Sequence, residues 1–219
     1  MRFKMKNSAI TLLVTYVIAQ TLPALLGSLV PSNAKTSVII YSTIACFILG
    51  SLVMILLNKK FPIKNSLTIQ PSVSKGQVLS WGFIGMFLAI FVQITANLIE
   101  QAVLKIPPGS ANTQYIIEII NKYPLFLITG AIFAPILEEF VFRKVIFGFF
   151  YDLTGVVGAA VISSLLFAFI HMDGHILLYS AMGFVFCFLY VKTKNIATSI
   201  IAHMLMNTLV FISQMVLLK

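Results

Sequence analysis

The chain has 219 residues, 59% of them hydrophobic and 10% charged, with a mean hydropathy of +1.02. A soluble globular domain carries roughly 25% charged and about 45–50% apolar residues, so that class is excluded. The formal charge of +9 comes from Lys and Arg scattered through loops rather than gathered on one face, which argues against a nucleic-acid partner.

Apolar runs near the roughly 20 residues that cross a bilayer as a helix recur along the chain. They predict an all-α, polytopic transmembrane bundle of about seven spans, at about 8–30, 36–57, 79–104, 124–149, 155–172, 176–191 and 196–217. The first run follows "MRFKMK" and precedes "SNA" at 32–34, as a cleaved signal would. Its apolar stretch of about 22 residues exceeds the usual 7–15 of a signal sequence, so it reads as a retained helix, bent at Pro23. The loop at 58–77 is polar and basic, and its prolines discourage a helix. The second half of 105–123 has helical periodicity and predicts a short amphipathic helix at the membrane interface. The fifth and sixth spans are short. Cys46 and Cys187 sit inside apolar runs and suggest neither a disulfide nor a metal motif.

Basic residues collect in the cytoplasmic loops of membrane proteins. With the N-terminus cytoplasmic, Arg2, Lys4, Lys6, Lys59, Lys60, Lys64, Lys75, Arg143, Lys144, Lys192 and Lys194 fall inside, 11 in all, against 4 outside: Lys35, Lys105, Lys122 and Lys219. The first unit, 1–123, is three spans with loops and no motif, and 124–219 is the unit that carries the chemistry.

An ionisable group at membrane depth costs roughly 2.5–3.5 kcal/mol on insertion scales, so each one is a functional candidate. The last four spans hold Glu138, Glu139, Arg143, His171, His203 and Asn207, while Glu100, Asp152, Asp173 and His175 are expected at span ends or turns within reach of water. Glu139 and Arg143 are four apart and share a helix face. Glu138 points about 100° away from Glu139 and needs a partner from another helix. One buried ion cluster fixing helix packing would explain Glu139 and Arg143 but leave Glu138 unpaired. Glu138, His171, His203 and Asn207 are together the parts of a hydrolytic site: a carboxylate to take a proton from water, imidazoles to orient that water or hold a metal, and an amide to donate to an oxyanion. Proton-coupled carriers bury the same residue types.

"EEFVFR" (138–143), "FAFIH" (167–171) and "HMLMN" (203–207) read in order as EExxxR, FxxxH and HxxxN on successive apolar helices. In this the chain resembles the CAAX protease and bacteriocin-processing (CPBP, formerly Abi) family of intramembrane proteases, over about residues 124–214. One position departs, with Lys144 where members often carry Gly. The resemblance implies an all-helical membrane peptidase of a bacterial cell membrane, acting on a prenylated CAAX-type or other hydrophobic peptide, in peptide maturation, bacteriocin self-immunity or signalling. By position it makes Glu138 and His171 the pair that activates water. Glu139 and Arg143 become a supporting ion pair, and His203 and Asn207 stabilise the oxyanion. The family is often called metalloprotease, and Glu138, His171 and His203 could supply three ligands to a divalent ion such as zinc. A glutamate-activated water needs none, and no HExxH is present. The competing reading is a non-catalytic membrane protein, either an immunity factor or a proton-coupled carrier.

Overall fold

The computed structural model describes residues 7–217, with the side chain of Leu217 excepted, so Arg2, Lys4, Lys6 and Lys219 of the charge tally lie outside the described residues. Helices α1 (Asn7–Ser28) and α2 (Ser32–Lys60) form an antiparallel hairpin, with Gly27 against Ile39 at one end and Gly50 against Thr15 and Ala19 further along. Pro23 lies within α1. After the loop at 61–74, α3 (Lys75–Ile99) starts at a capping box, in which the Ser74 hydroxyl accepts from the Gln77 amide and the Gln77 side chain accepts from the Ser74 amide. It ends in a π turn, Glu100–Leu104. The expected amphipathic helix is α4 (Ala111–Lys122), capped by the Ser110 hydroxyl.

The stretch Phe126–His171 is helical over 46 residues, which at 1.5 Å per residue would reach ~70 Å, about twice the ~30 Å of a hydrocarbon core. It is broken at Gly155, whose φ of 73° and ψ of −176° belong to a region that essentially only glycine populates. The chain folds back there, bringing the Ser163 hydroxyl to 2.7 Å from the Phe142 carbonyl. The two limbs are α5 (126–154) and α6 (156–171). Helices α7 (Ile176–Thr193) and α8 (Ile196–Leu217) complete the bundle. Six helices among the described residues are long and apolar enough to cross a membrane, and the one that folds on itself accounts for two passes. Seven passes follow, as the sequence predicts.

α5 runs through the centre, touching α1, α2 and α8, while α3 packs on α7 and α8 and α6 packs on α7. The α3 contact is close because Gly85 faces Leu189 and Ala202, where a side chain would collide. The outer faces carry exposed Leu, Val, Ile and Phe, as lipid contact requires. Lys144, read from the sequence as a charge at the cytoplasmic end, is instead buried within the bundle, and Arg143, counted on that side but also read as a deep residue beside Glu139, is fully buried. Burial also corrects the expectation for the span ends, since Glu100 is fully buried and His175 nearly so.

Candidate active site

α5 is not a regular helix where the site forms. It passes through a π turn at Thr129–Phe133, an α segment at Ala134–Glu139 and a longer π segment at Phe140–Phe147. Pro135 explains the first π turn. The Ala134 amide bonds to the Thr129 carbonyl, five residues back, and Pro135 has no amide to offer the Gly130 carbonyl. That orphaned oxygen accepts instead from the Asn207 side-chain amide of α8, at 3.1 Å. Asn207 is thereby fixed beside the turn that leads into the paired glutamates.

Glu138 and Glu139 diverge as their adjacency requires. Glu139 is fully buried, its Oε1 3.1 Å from Arg143 Nη1 and 3.0 Å from His203 Nδ1. The Arg143 guanidinium makes no hydrogen bond among the described residues and instead lies over aromatic faces, 4.3 Å from the Phe167 ring and 5.1 Å from that of Phe186. The Glu138 side chain is 16% exposed and faces a cavity, with Oε2 3.7 Å from His203 Nε2. His203 therefore stands between both carboxylates, its ring stacked on Phe186 at 4.5 Å. Because an ionised carboxylate only accepts, Nδ1 of His203 carries a proton and donates it to Glu139, leaving Nε2 toward the cavity.

His171 ends α6. Its Nδ1 lies 2.7 Å from the Phe167 carbonyl, which also only accepts, so Nδ1–H donates and the Nε2 lone pair is left free to take a proton. The ring stacks on Tyr179 at 3.7 Å. Glu138, His171, His203 and Asn207 all line one cavity of about 80 Å³, which Asn112, Thr113 and Ile116 of α4 also line. Glu138 and His171 also border an adjoining cavity of about 280 Å³ that reaches Tyr16 of α1. Glu139 and Arg143 line neither. The three residues read as available metal ligands, Glu138, His171 and His203, share the cavity. As they stand, no group of three His, Cys, Asp or Glu among the described residues is close enough to hold an ion.

A second polar cluster went unread in the sequence. Glu100 Oε2 accepts from His175 Nδ1 at 2.7 Å, and Oε1 accepts from the Leu178 amide at 3.1 Å. Nε2 of His175 lies 3.2 Å from the Gly109 carbonyl. Next to this pair, Asp173 Oδ2 accepts from the hydroxyls of Ser110 (2.7 Å) and Tyr179 (3.1 Å). These bonds tie the 105–110 segment to the 172–175 turn and hold the ring on which His171 stacks. The available signal was Glu100 itself, the one acidic residue in the third apolar run.

The model for the Rce1-like family, type II CAAX prenyl endopeptidases, matches residues 120–209. YdiL of Bacillus subtilis (strain 168) is 44% identical over 177 residues, covering 80% of this chain and 70% of the relative. The membrane-embedded CAAX protease MroQ of Staphylococcus aureus (strain USA300) is 31% identical over 214 residues, covering 92% of this chain and 87% of the relative. UPF0177 protein YaiH of Lactococcus lactis subsp. lactis (strain IL1403) is 35% identical over 48% of this chain and 44% of its own length. No solved structure matches. Relatives that align over most of its length, and a family match spanning all three motifs, show that this multi-pass membrane protein of bacterial type belongs to the Rce1-like CAAX endopeptidase family, the CPBP intramembrane proteases.

Proposed function

We propose that the chain hydrolyses a peptide bond in a hydrophobic or prenylated peptide, with Glu138 and His171 activating the attacking water. The observation that carries this reading is the sorting of the motif residues. Glu138, His171, His203 and Asn207, from α5, α6 and α8, border one cavity, while Glu139 and Arg143 are sealed behind it. A water in that cavity would lie between the Glu138 carboxylate and the free Nε2 of His171. As its oxygen bonds to the scissile carbonyl carbon, one of its protons passes to this pair. The carbonyl oxygen becomes an oxyanion, met by the Asn207 amide hydrogen not used on Gly130 and, when its Nε2 is protonated, by His203. The C–N bond then breaks, the proton held by the Glu138–His171 pair goes to the leaving amine, and the new carboxyl group keeps the water oxygen. Glu139 acts through His203 and Arg143 and is a positioning residue. Among the described residues the donor set as placed does not form a metal site. Maturation of a secreted peptide such as a bacteriocin, or immunity to one, is a setting that suits this chemistry.

The test compares peptide termini in cells that express wild type or Glu138→Gln at matched membrane levels. Gln is near-isosteric and cannot accept the proton. Loss of a general base lowers rate about 10²–10⁴-fold, so a set of termini should appear with wild type alone. Identical profiles in the two strains, with a phenotype such as bacteriocin resistance kept in both, would favour the immunity-factor reading and end this one. A carrier would show pH-driven transport and no new termini.

A further inference from the structure

The bundle has two unlike ends, and α4, which borders the cavity, lies at only one of them. At the first end, the loop after α2 is tied to the last turn of α5 by the Ser66 amide on Asp152 Oδ1 (3.0 Å), and to the end of α7 by the Val73 amide on the Thr193 carbonyl (3.1 Å). Lys59, Lys60, Lys64, Lys75, Lys192 and Lys194 gather there. α1 begins at this end too, since its hairpin with α2 is antiparallel, and in the sequence Arg2, Lys4 and Lys6 lie just ahead of Asn7. At the second end, α4 and the 105–110 segment are joined to the 172–175 turn by the Glu100–His175 and Ser110–Asp173 bonds, and to α2 by Tyr123 on Ser37 (3.1 Å). This end has Lys35, Lys105 and Lys122 and the acidic Glu118 and Asp173. Both cavities that touch Glu138 are lined by residues of α4, so they lie toward the second end.

Of the ten described lysines, six lie at the first end and three at the second, and Lys144 is buried within the bundle. Lys and Arg within about 15–20 residues of span ends set orientation, and the richer end stays cytoplasmic. From this we infer that the catalytic cavity opens to the extracytoplasmic side, with α4 lying along the outer interface as its lip. The substrate is then a hydrophobic peptide segment that reaches the site after translocation, or from the outer leaflet. A prenylated tail made and kept in the cytoplasm would arrive at the wrong end. This inference rests on the peptidase reading for its substrate class, but not for the direction of the opening.

Substituted cysteines separate the two. In a Cys46→Ser, Cys187→Ser background, Gln114→Cys and Glu118→Cys mark the exposed face of α4. Lys59→Cys and Gly76→Cys mark the basic end, where a side chain at Gly76 meets nothing within 4 Å. A membrane-impermeant maleimide applied to intact cells should label the α4 positions and reach the other two only after permeabilisation. The reverse pattern would overturn the inference, and two positions at each end guard against one variant failing to insert. The termini lost with Glu138→Gln give a second readout. They should fall in translocated segments, and termini confined to cytoplasmic C-terminal tails would overturn the substrate class. If Glu138→Gln changes no termini while the labelling holds, the peptidase reading fails and the orientation stands.

Discussion

Replacing Arg143 by Met isolates what the buried ion pair does. The guanidinium is inaccessible, and Glu139 Oε1 lies 3.1 Å from it. At an effective dielectric near 20, a pair at this distance interacts by about 5 kcal/mol, and the contacts with Phe167 and Phe186 add ~1–2 kcal/mol. Arg143→Met forfeits both and leaves a buried carboxylate whose remaining partner is His203 at 3.0 Å. That bond exists in the wild type as well and offsets nothing; what offsets part of the loss is the desolvation cost of the guanidinium, several kcal/mol by order of magnitude, which the variant no longer carries. The expected net loss is ~3–5 kcal/mol, in line with breaking one side of a buried pair. The double variant Glu139→Gln, Arg143→Met removes both charges and should recover to within ~2 kcal/mol of wild type. Thermal unfolding of the detergent-solubilised protein, followed through its single tryptophan, Trp81, reads both quantities. If the single variant unfolds like wild type, or the double variant is no more stable than the single, Glu139 is not held by Arg143 in this way.

Pro135→Ala should restore an amide able to compete for the Gly130 carbonyl, tighten the π turn and release Asn207. Peptidase turnover should fall about 10-fold with thermal stability unchanged or raised, since only the placement of the proposed oxyanion donor is lost; turnover equal to wild type would refute the link. Gly155→Ala tests the fold alone. A Cβ there meets nothing within 4 Å, so the cost is the left-handed backbone itself, about 1–3 kcal/mol by thermal unfolding, with activity per folded molecule unaltered.

The seven passes were legible because length and hydropathy alone specify a helix that must satisfy its own backbone in lipid. The Glu139–Arg143 pairing was legible from four-residue spacing, and it survives even though π turns interrupt the helix on either side of the glutamates. What the local pattern hides are contacts between distant segments. Nothing near His203 says that its ring sits against both glutamates, 64 residues away in the case of Glu139. Glu100 was misplaced for the same reason. It falls at the end of an apolar run, where water is the default partner, but its actual partner is His175, 75 residues on. Lys144 was credited to the cytoplasmic end on charge, and only the packing around α5 shows that it is enclosed, whereas Arg143, counted on the same side, was legible as a deep residue from its spacing to Glu139. The tally of ends keeps its sign without them.

The adjacency of the two carboxylates has a geometric reason. Neighbouring helix residues point about 100° apart, so a pair such as Glu138–Glu139 can face a cavity and a packed interior from one turn. The two nitrogens of a single imidazole are close enough to meet both, and His203 does so at 3.0 Å and 3.7 Å. A glutamate moved one turn along α5 would keep its face but leave the reach of that ring. Arg143 then completes the arrangement on the sealed side, where its charge offsets that of Glu139 without entering the cavity. The buried carboxylate fixes which nitrogen of His203 carries a proton, and the exposed one keeps its oxygens for water. Exchanging the roles is not possible by rotation of side chains, since Glu139 is fully enclosed. On the proposed mechanism the two glutamates act as a unit, and the substitution Glu139→Gln alone should lower turnover while leaving the cavity and Glu138 in place.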